Sequence, residues 1–358
     1  MKKAFSYTLI LSALAIGLGT AHACDVCGCQ TPQIETIAPV PEEPAIHPAA
    51  DQRGAREAVL DRFYFGAAEQ FTHFATVQID GREVPNPSGQ YEDSSITQLT
   101  AGVVVTPRLS LQINLPLIYR SFERPEGFAI DRGTESGVGD ISLLANFVLF
   151  QSERNGEARA SSADGKNPLE VRDEPNVAVA ASVFGGVKLP TGDSDRLREE
   201  FDEVEVPGAP ESGIHGHDLT LGTGSFDAII GGQASLRYRS CFVSAETQFT
   251  LRGDGAHQYH FANDLSWSGG PGYYLMRRRD AVVGLQCACA GEHKDVDRFR
   301  GEVADDTGIT SVFLGPRVIG SYRKLSGELA LEFPVAIENT ALQVVPDYRL
   351  RASFTVRF

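Results

Sequence analysis

The sequence of 358 residues is poor in several residue types and in long apolar runs. It contains one Trp and two Met, against 36 Gly, 20 Phe and 10 Tyr, a composition that favours an all-β protein over a helical one. Beyond the N-terminal segment, no stretch approaches the roughly 18 consecutive apolar residues that a spanning helix needs. We therefore expect no helical membrane anchor in the main part of the chain.

Basic residues are also scarce. There are 32 Lys and Arg against 47 Asp and Glu, a net charge of −15, and the longest basic run is Arg277, Arg278 and Arg279. Nucleic-acid binding needs clustered positive charge, so we expect no nucleic-acid partner. The hydrolase motifs Gly-x-Ser-x-Gly and His-Glu-x-x-His are missing from the sequence, and we expect no enzyme.

The N-terminus has the pattern of an export signal. Lys2 and Lys3 precede an apolar segment at 9–18, and Ala21, His22 and Ala23 form a small-x-small cleavage site. We predict a signal peptide at 1–23, a Cys-rich head with a disordered Pro-, Ala- and Glu-rich linker at 24–62, and a folded domain at 63–358. A lipoprotein signal with Cys24 at the cleavage point is the alternative.

Three of the six cysteines lie within the first six residues of that mature chain: Cys24, Cys27 and Cys29. Thiolates spaced this closely suit a soft metal such as Cu(I) or Zn(II), or redox chemistry. A disulfide without further function and lipidation of Cys24 are the competing interpretations. Copper or zinc at this cluster is the cofactor that the sequence predicts.

From residue 63 onward, apolar and polar side chains alternate strictly. In the segment 348–358 one face carries Tyr, Leu, Ala, Phe, Val and Phe, and the other carries Arg, Arg, Ser, Thr and Arg. A period of two is typical of a strand with one apolar face. Twelve such segments are predicted, at 65–79, 95–106, 109–120, 138–150, 176–189, 224–239, 241–252, 258–267, 281–290, 309–322, 325–337 and 347–358.

Short turns alternate with long loops between these segments, as in an outer-membrane barrel. The long, polar connection at 151–175 is the exception, because the alternation of connections predicts a short turn at this position. Only helices and closed barrels satisfy the backbone in hydrocarbon, so we predict a transmembrane antiparallel up-and-down β-barrel of about 12 strands. Its partners would be the outer-membrane bilayer and a small solute, with both termini periplasmic. A secreted β-sandwich is the alternative.

The polar positions of the strands would face the barrel lumen. Charges of both signs in the lumen favour salt-bridged rings in a narrow channel. A sealed structural or binding barrel fits the same pattern, and its loops or Cys-rich head would recruit metal or protein partners. The side chains expected to point inward are Asp227, Arg237, Arg239, Glu246, Arg252, Asp264, Arg317, Arg323, Glu328 and Glu332.

A second candidate metal site lies in the long acidic loop at 190–223. His215, His217 and Asp218 are close enough in sequence to hold a divalent cation. The acidic residues of this loop would also concentrate cations at the barrel mouth. An ordinary solvated loop is the alternative.

Three glycine-rich motifs complete the pattern: SGVGDI at 136–141, GGVKLPTGD at 185–193 and LGTGSFD at 221–227. In order and spacing they resemble the transporter-like outer-membrane proteins grouped as the MetA pathway of phenol degradation family. The resemblance implies a channel-like barrel of a Gram-negative outer membrane, passing small and in some cases hydrophobic or aromatic solutes. The motif residues would shape the barrel rim or gate it: Gly137, Gly139, Asp140, Pro190, Thr191, Gly192, Asp193, Gly222, Gly224 and Asp227.

Overall fold

The computed structural model describes residues 61–154, 177–202, 206–278 and 280–358. The predicted signal peptide, nearly all of the predicted head and linker, and most of the connection at 151–175 lie outside the described residues. Predictions for those segments therefore remain predictions.

The described chain folds into a closed barrel of twelve antiparallel strands, which confirms the predicted fold class. Each strand pairs with its neighbours in sequence, and the last strand pairs with the first. The strands are β1 (Phe63–Ile79), β2 (Tyr91–Thr106), β3 (Leu109–Glu126), β4 (Ser142–Arg154), β5 (Val177–Lys188), β6 (Asp227–Tyr238), β7 (Cys241–Leu251), β8 (Asp264–Arg277), β9 (Ala281–Lys294), β10 (Ile309–Tyr322), β11 (Leu325–Asn339) and β12 (Leu342–Arg357).

The two ends of the barrel differ in their connections. At one end, turns of two or three residues join β2 to β3, β6 to β7, β8 to β9 and β10 to β11. At the other end lie small additional elements. These are the strands Arg82–Val84, Ala129–Val138, Tyr259–His260, Asp297–Phe299 and Glu302–Ala304, the 3-10 helices Asp195–Phe201 and Ala256–Gln258, and the short α-helix Gly216–Leu219.

No helix in the described parts of the chain is both long enough and apolar enough to cross a membrane.

Several predicted strand boundaries are wrong by a few residues, and two differences change the connections between strands. The eighth strand covers 264–277 rather than 258–267, because glycines at 269, 270 and 272 interrupt the side-chain alternation on which the prediction depended. The gap between the predicted strands at 325–337 and 347–358 is a turn of two residues, Thr340 and Ala341, because β11 extends to Asn339 and β12 begins at Leu342.

The distribution of polarity is inverted relative to a soluble protein. In β3, Leu111 and Ile113 are 45% and 42% exposed, whereas Gln112 is 8% exposed and Asn114 is fully buried. The same alternation places apolar side chains on the outer surface of the other strands. No second sheet covers this apolar face among the described residues, so the β-sandwich alternative is excluded. The outer surface is chemically suited to lipid.

Candidate functional site: the lumen and its inserted loop

The connection between β5 and β6, residues 189–226, folds inward over the lumen and is called the inserted loop here. Three of its leucine and isoleucine side chains are at most 2% exposed: Leu197, Ile214 and Leu219. Ile214 and Leu219 pack against Phe122 of β3. Leu197 packs against an aromatic pair from the connection between β7 and β8, Tyr259 and Phe261.

Hydrogen bonds to the backbone of the inserted loop also hold it to the wall. The guanidinium of Arg120 on β3 donates to the carbonyl of Thr220 at 2.5 Å. The amide of Gly213 donates to Oε1 of Gln90 at 2.8 Å, and its carbonyl accepts from the amide of Val344 on β12 at 3.1 Å. The loop is therefore attached to well-separated parts of the barrel.

Asp140 joins the three glycine-rich motifs. Its Oδ1 accepts hydrogen bonds from the amides of Thr191 and Gly192, at 3.1 and 2.9 Å. Its Oδ2 accepts from the amide and the hydroxyl of Thr223, both at 2.9 Å. One carboxylate thus fixes both ends of the inserted loop to the start of β4.

From Asp140 a chain of alternating charges runs along the loop-side rim. Lys188 Nζ lies 3.6 Å from Asp140 and 3.4 Å from Asp227, and Arg252 bridges Asp227 and Asp264 at 2.8 Å each. All five side chains belong to residues that are 8% exposed or less. Buried charges need partners, and this chain supplies them in sequence from the start of β4 to the start of β8.

The other motif residues close the same junction. The hydroxyl of Thr191, which follows Pro190, donates to the carbonyl of Gly139 at 3.0 Å. The carbonyl of Asp193 accepts from the amide of Gly222 at 2.8 Å. Close packing explains Gly137, where a Cβ would come within 2.9 Å of Leu221, and a positive φ of 69° explains Gly224.

The predicted histidine site is brought together, but not as a metal centre. His217 is 1% exposed; its Nδ1 lies 3.1 Å from Glu200 and its Nε2 lies 3.4 Å from Asp218. His215 stacks on His217 with ring centroids 5.5 Å apart, and its Nε2 faces Asp306 at 3.3 Å. The imidazole nitrogens lie next to different carboxylates. The described residues contain no group of three or more His, Cys, Asp or Glu that could hold a metal ion.

This cluster holds a buried ion pair instead. Burial alone would lower the pKa of His217, but the charge of Asp218 and the hydrogen bond with Glu200 raise it from 6.5 to about 10. Burial alone would raise the pKa of Glu200, but its hydrogen bonds with His217 lower it from 4.5 to about 2. At neutral pH the imidazolium donates to the carboxylate, within the inserted loop.

Beneath the inserted loop lies the lumen cavity, of about 1350 Å³ including its open part. Nine of the twelve strands contribute to its wall, all except β3, β4 and β5. Its polar side chains include Gln98, Glu246, Arg317 and Arg351.

A carboxylate network borders this cavity. Glu332, which is fully buried, lies 3.5 Å from Arg317, 3.9 Å from Arg349 and 3.7 Å from Arg351. Arg349 is also 2.6 Å from Glu292. These contacts link β9, β10, β11 and β12 across the interior of the barrel.

Most residues predicted to face the lumen lie inside the barrel wall. Arg239 and Arg323 do not: both lie in exposed two-residue turns with positive φ, and each guanidinium stacks over the preceding tyrosine. Both residues lie beyond the ends of their strands, where the alternation of inward and outward side chains no longer applies. Interior charges that sequence reasoning missed include Lys188 and Arg349; Arg349 occupies a polar position of an alternating strand.

The cysteines divide into two groups. Cys24, Cys27 and Cys29 lie outside the described residues. Cys241, Cys287 and Cys289 are free thiols; the first two are exposed and the third is partly so. The three described thiols lie on the apolar side of their strands.

No family model matches the sequence, and no curated protein matches it significantly. Among solved structures, an outer membrane channel from Pseudomonas putida F1 has a TM-score of 0.53 and 16% identity, over 83% of this chain and 95% of that chain. The β-domain of the Bordetella autotransporter BrkA has a TM-score of 0.40 and 10% identity, over 83% of this chain and 100% of that chain. The channel-like barrel implied by the family resemblance is confirmed as a fold: the chain is a closed twelve-stranded β-barrel similar to that outer membrane channel.

Proposed function

We propose that the protein is an outer-membrane channel that passes small solutes through its lumen, beneath the inserted loop. The observation that carries this proposal is a large cavity with polar and charged side chains, enclosed by a barrel whose outer surface is apolar. A closed barrel satisfies its backbone hydrogen bonds in hydrocarbon, and a water-filled interior gives polar solutes a path across it. The fold similarity to an outer membrane channel supports the same conclusion.

Conductance tests the proposal directly. The purified protein would be reconstituted into planar bilayers and its current recorded in KCl. Stepwise, stable conductance is expected. A protein that shows heat-modifiable migration, and is therefore folded, but gives no current in repeated reconstitutions would contradict the channel proposal.

A sealed barrel is the second candidate, and the inserted loop is the observation that favours it. Leu197 and Leu219 are fully buried, and the loop is attached to several parts of the wall. In a sealed barrel, the wild-type protein would be silent, and its outer loops or Cys head would bind metal or protein partners. Replacing residues 194–218 by a short Gly-Ser linker would then produce conductance that the wild type lacks.

The proposal includes an orientation in which both termini and the short turns face the periplasm. It rests on the predicted export signal and on the position of Phe63 at the short-turn end of the barrel. In a variant whose native cysteines are replaced by Ser, Gly208→Cys in the inserted loop should react with an impermeant maleimide on intact cells. Ser240→Cys, in a short turn, should not react. The opposite labelling would reverse the orientation.

A further inference from the structure

One part of the lumen wall is apolar, although the interior is otherwise polar. Phe242, Tyr274 and Val282 form a buried cluster with Ile319 packed against it, and all four side chains line the lumen cavity. The rings of Phe242 and Tyr274 are 4.5 Å apart and tilted by 33°. Such a surface favours the apolar or aromatic part of a ligand, and an aromatic face also attracts cations.

The charges around the cavity are equal in number, but they are not all paired. Arg317 and Arg351 line the cavity, but both also contact Glu332, which neutralises part of their charge. Arg349, which does not line the cavity, contacts Glu292. Counting the cavity, this network and the lumen-facing arginine beside Phe242, four arginines stand against four glutamates: Arg237, Arg317, Arg349 and Arg351, and Glu246, Glu292, Glu328 and Glu332.

Glu246 is the acidic group without an ion-pair partner among the described residues. Its register partners on the neighbouring strands are uncharged: Gln233 on β6 and Ser268 on β8. The side chain lies in the wall of the same cavity as the aromatic cluster. A half-buried carboxylate without a cationic partner is stabilised by a cation that enters the cavity.

The carboxylates nearer the inserted loop differ from Glu246. A second, smaller cavity lies below the inserted loop and is lined by Glu92, Asp218, Glu292 and Asp306 but only one basic side chain, Lys294. Each of these acids has a basic partner: Glu92 lies beside Arg120, Asp218 beside His217, Glu292 beside Arg349 and Asp306 beside His215. Lys294 pairs with a further acid, Asp297. The acids of this second cavity are therefore paired, and Glu246 differs from them in lacking such a partner.

We propose that the lumen cavity is a binding site for small organic cations that carry an apolar or aromatic body. The ammonium group lies against the Glu246 carboxylate, and the body lies on Phe242 and Tyr274. This inference rests on the proposed channel function and names its solute class. It follows that the channel prefers cations to anions of the same size.

Binding can be measured on the full-length protein folded in detergent, by isothermal titration calorimetry. The probe is benzyltrimethylammonium, and phenylacetate is the anion of similar size and aromatic character. We expect binding of the cation and none of the anion. Glu246→Gln should weaken binding about tenfold, as loss of one partly screened charge partner does. Phe242→Leu should also weaken it, whereas Glu338→Gln, a matched change at an exposed rim position, should leave it unchanged.

Reversal potentials in a KCl gradient provide the second measurement. We expect K⁺ to permeate several times better than Cl⁻, and Glu246→Gln to reduce this preference. A conducting channel that prefers neither ion and binds no benzyltrimethylammonium overturns this inference while the channel function stands. Glu246-dependent binding by a protein without conductance overturns the channel function instead. Binding that Glu246→Gln leaves unchanged overturns the assigned role of this carboxylate.

Discussion

Gly192 and Gly222 lie back to back where the two ends of the inserted loop meet. A Cβ on Gly222 would come within 2.6 Å of the backbone of Gly192, and a Cβ on Gly192 would come within 2.8 Å of the Cα of Gly222. No side chain can be accommodated between two backbones at this distance unless one of them moves. The attachment of the loop therefore depends on the absence of a side chain at both positions.

Gly222→Ala should loosen the inserted loop without unfolding the barrel. The measurement is the rate at which trypsin cleaves the detergent-folded protein after Arg198, whose side chain is 65% exposed in the loop. We expect faster cleavage than in the wild type. Gly185→Ala is the control, because its Cβ would meet only ordinary contact at 3.5 Å from the carbonyl of Ile229. Equal rates for all three proteins would mean that the close approach does not hold the loop.

Asp140→Asn should destabilise the junction of the three motifs. An amide has one acceptor oxygen, so hydrogen bonds to the backbone on one side are lost, and Lys188 loses one of its two carboxylates. We expect a loss of about 2–4 kcal/mol in the free energy of unfolding, typical of a broken buried charge network. Urea titration of the vesicle-folded protein, followed by Trp267 fluorescence, measures it. Asp254→Asn, at a fully exposed carboxylate, should change it little.

Stability of the inserted loop should depend on pH through His217 and Glu200. The raised pKa of His217 gives a stabilisation that is complete below pH 6.5 and is lost as the pH rises towards about 10. The lowered pKa of Glu200 gives a second stabilisation, which is complete above pH 4.5 and is lost as the pH falls towards about 2. The loop should be most stable between pH 4.5 and 6.5.

Cleavage of the inserted loop by proteinase K, normalised at each pH to a reference peptide, measures this dependence. The rate should rise as the pH increases from 6.5 to 10. In Glu200→Gln the rise should be complete at a lower pH, because His217 has lost one of the carboxylates that raise its pKa. His257→Gln, at a separate loop histidine, should follow the wild type. A wild-type rate independent of pH over this range would count against the ion pair as a stabilising contact.

The Cys-rich head should bind a soft metal. Full-length protein loaded anaerobically with Cu(I) or Zn(II) and dialysed should retain about one metal ion per chain, as three clustered thiolates would hold. Replacement of Cys24, Cys27 and Cys29 by Ser should abolish retention. The same replacement at Cys241, Cys287 and Cys289 is the control, because these thiols lie on the apolar outer surface. Retention that needs the second group of cysteines would show that the head is not the site.

The strands were predictable because each one repeats a two-residue pattern that is local in sequence. The alternation in β3 and β12 is nearly unbroken, and the segments predicted at 109–120 and 347–358 fall on these strands, which extend further at one end. The pattern failed in β8, where glycines make room for neighbouring rings: Phe242 lies over Gly272, so that a Cβ there would be 2.2 Å from it. A glycine has no side chain that could be apolar or polar, so the two-residue alternation cannot be recognised across it.

The inserted loop could not be predicted from the same evidence. Its fold depends on contacts between residues far apart in sequence, such as Arg120 with Thr220 and Asp140 with Thr223. The glycine-rich motifs marked three positions at the rim but not that one carboxylate would join them. For His215 and His217, sequence spacing predicted shared ligation, whereas the backbone stacks the rings and directs their nitrogens to separate acids.

The seam between β1 and β12 constrains how the molecule is made. It joins Tyr64 to Arg357 and continues to Ile79 and Leu342, so it pairs segments from opposite ends of the described chain. Until β12 has been synthesised, β1 and the latest strand both present unpaired edges, which are prone to aggregation. The barrel therefore cannot mature step by step during translation, and the incomplete sheet must be shielded until its final strand is available.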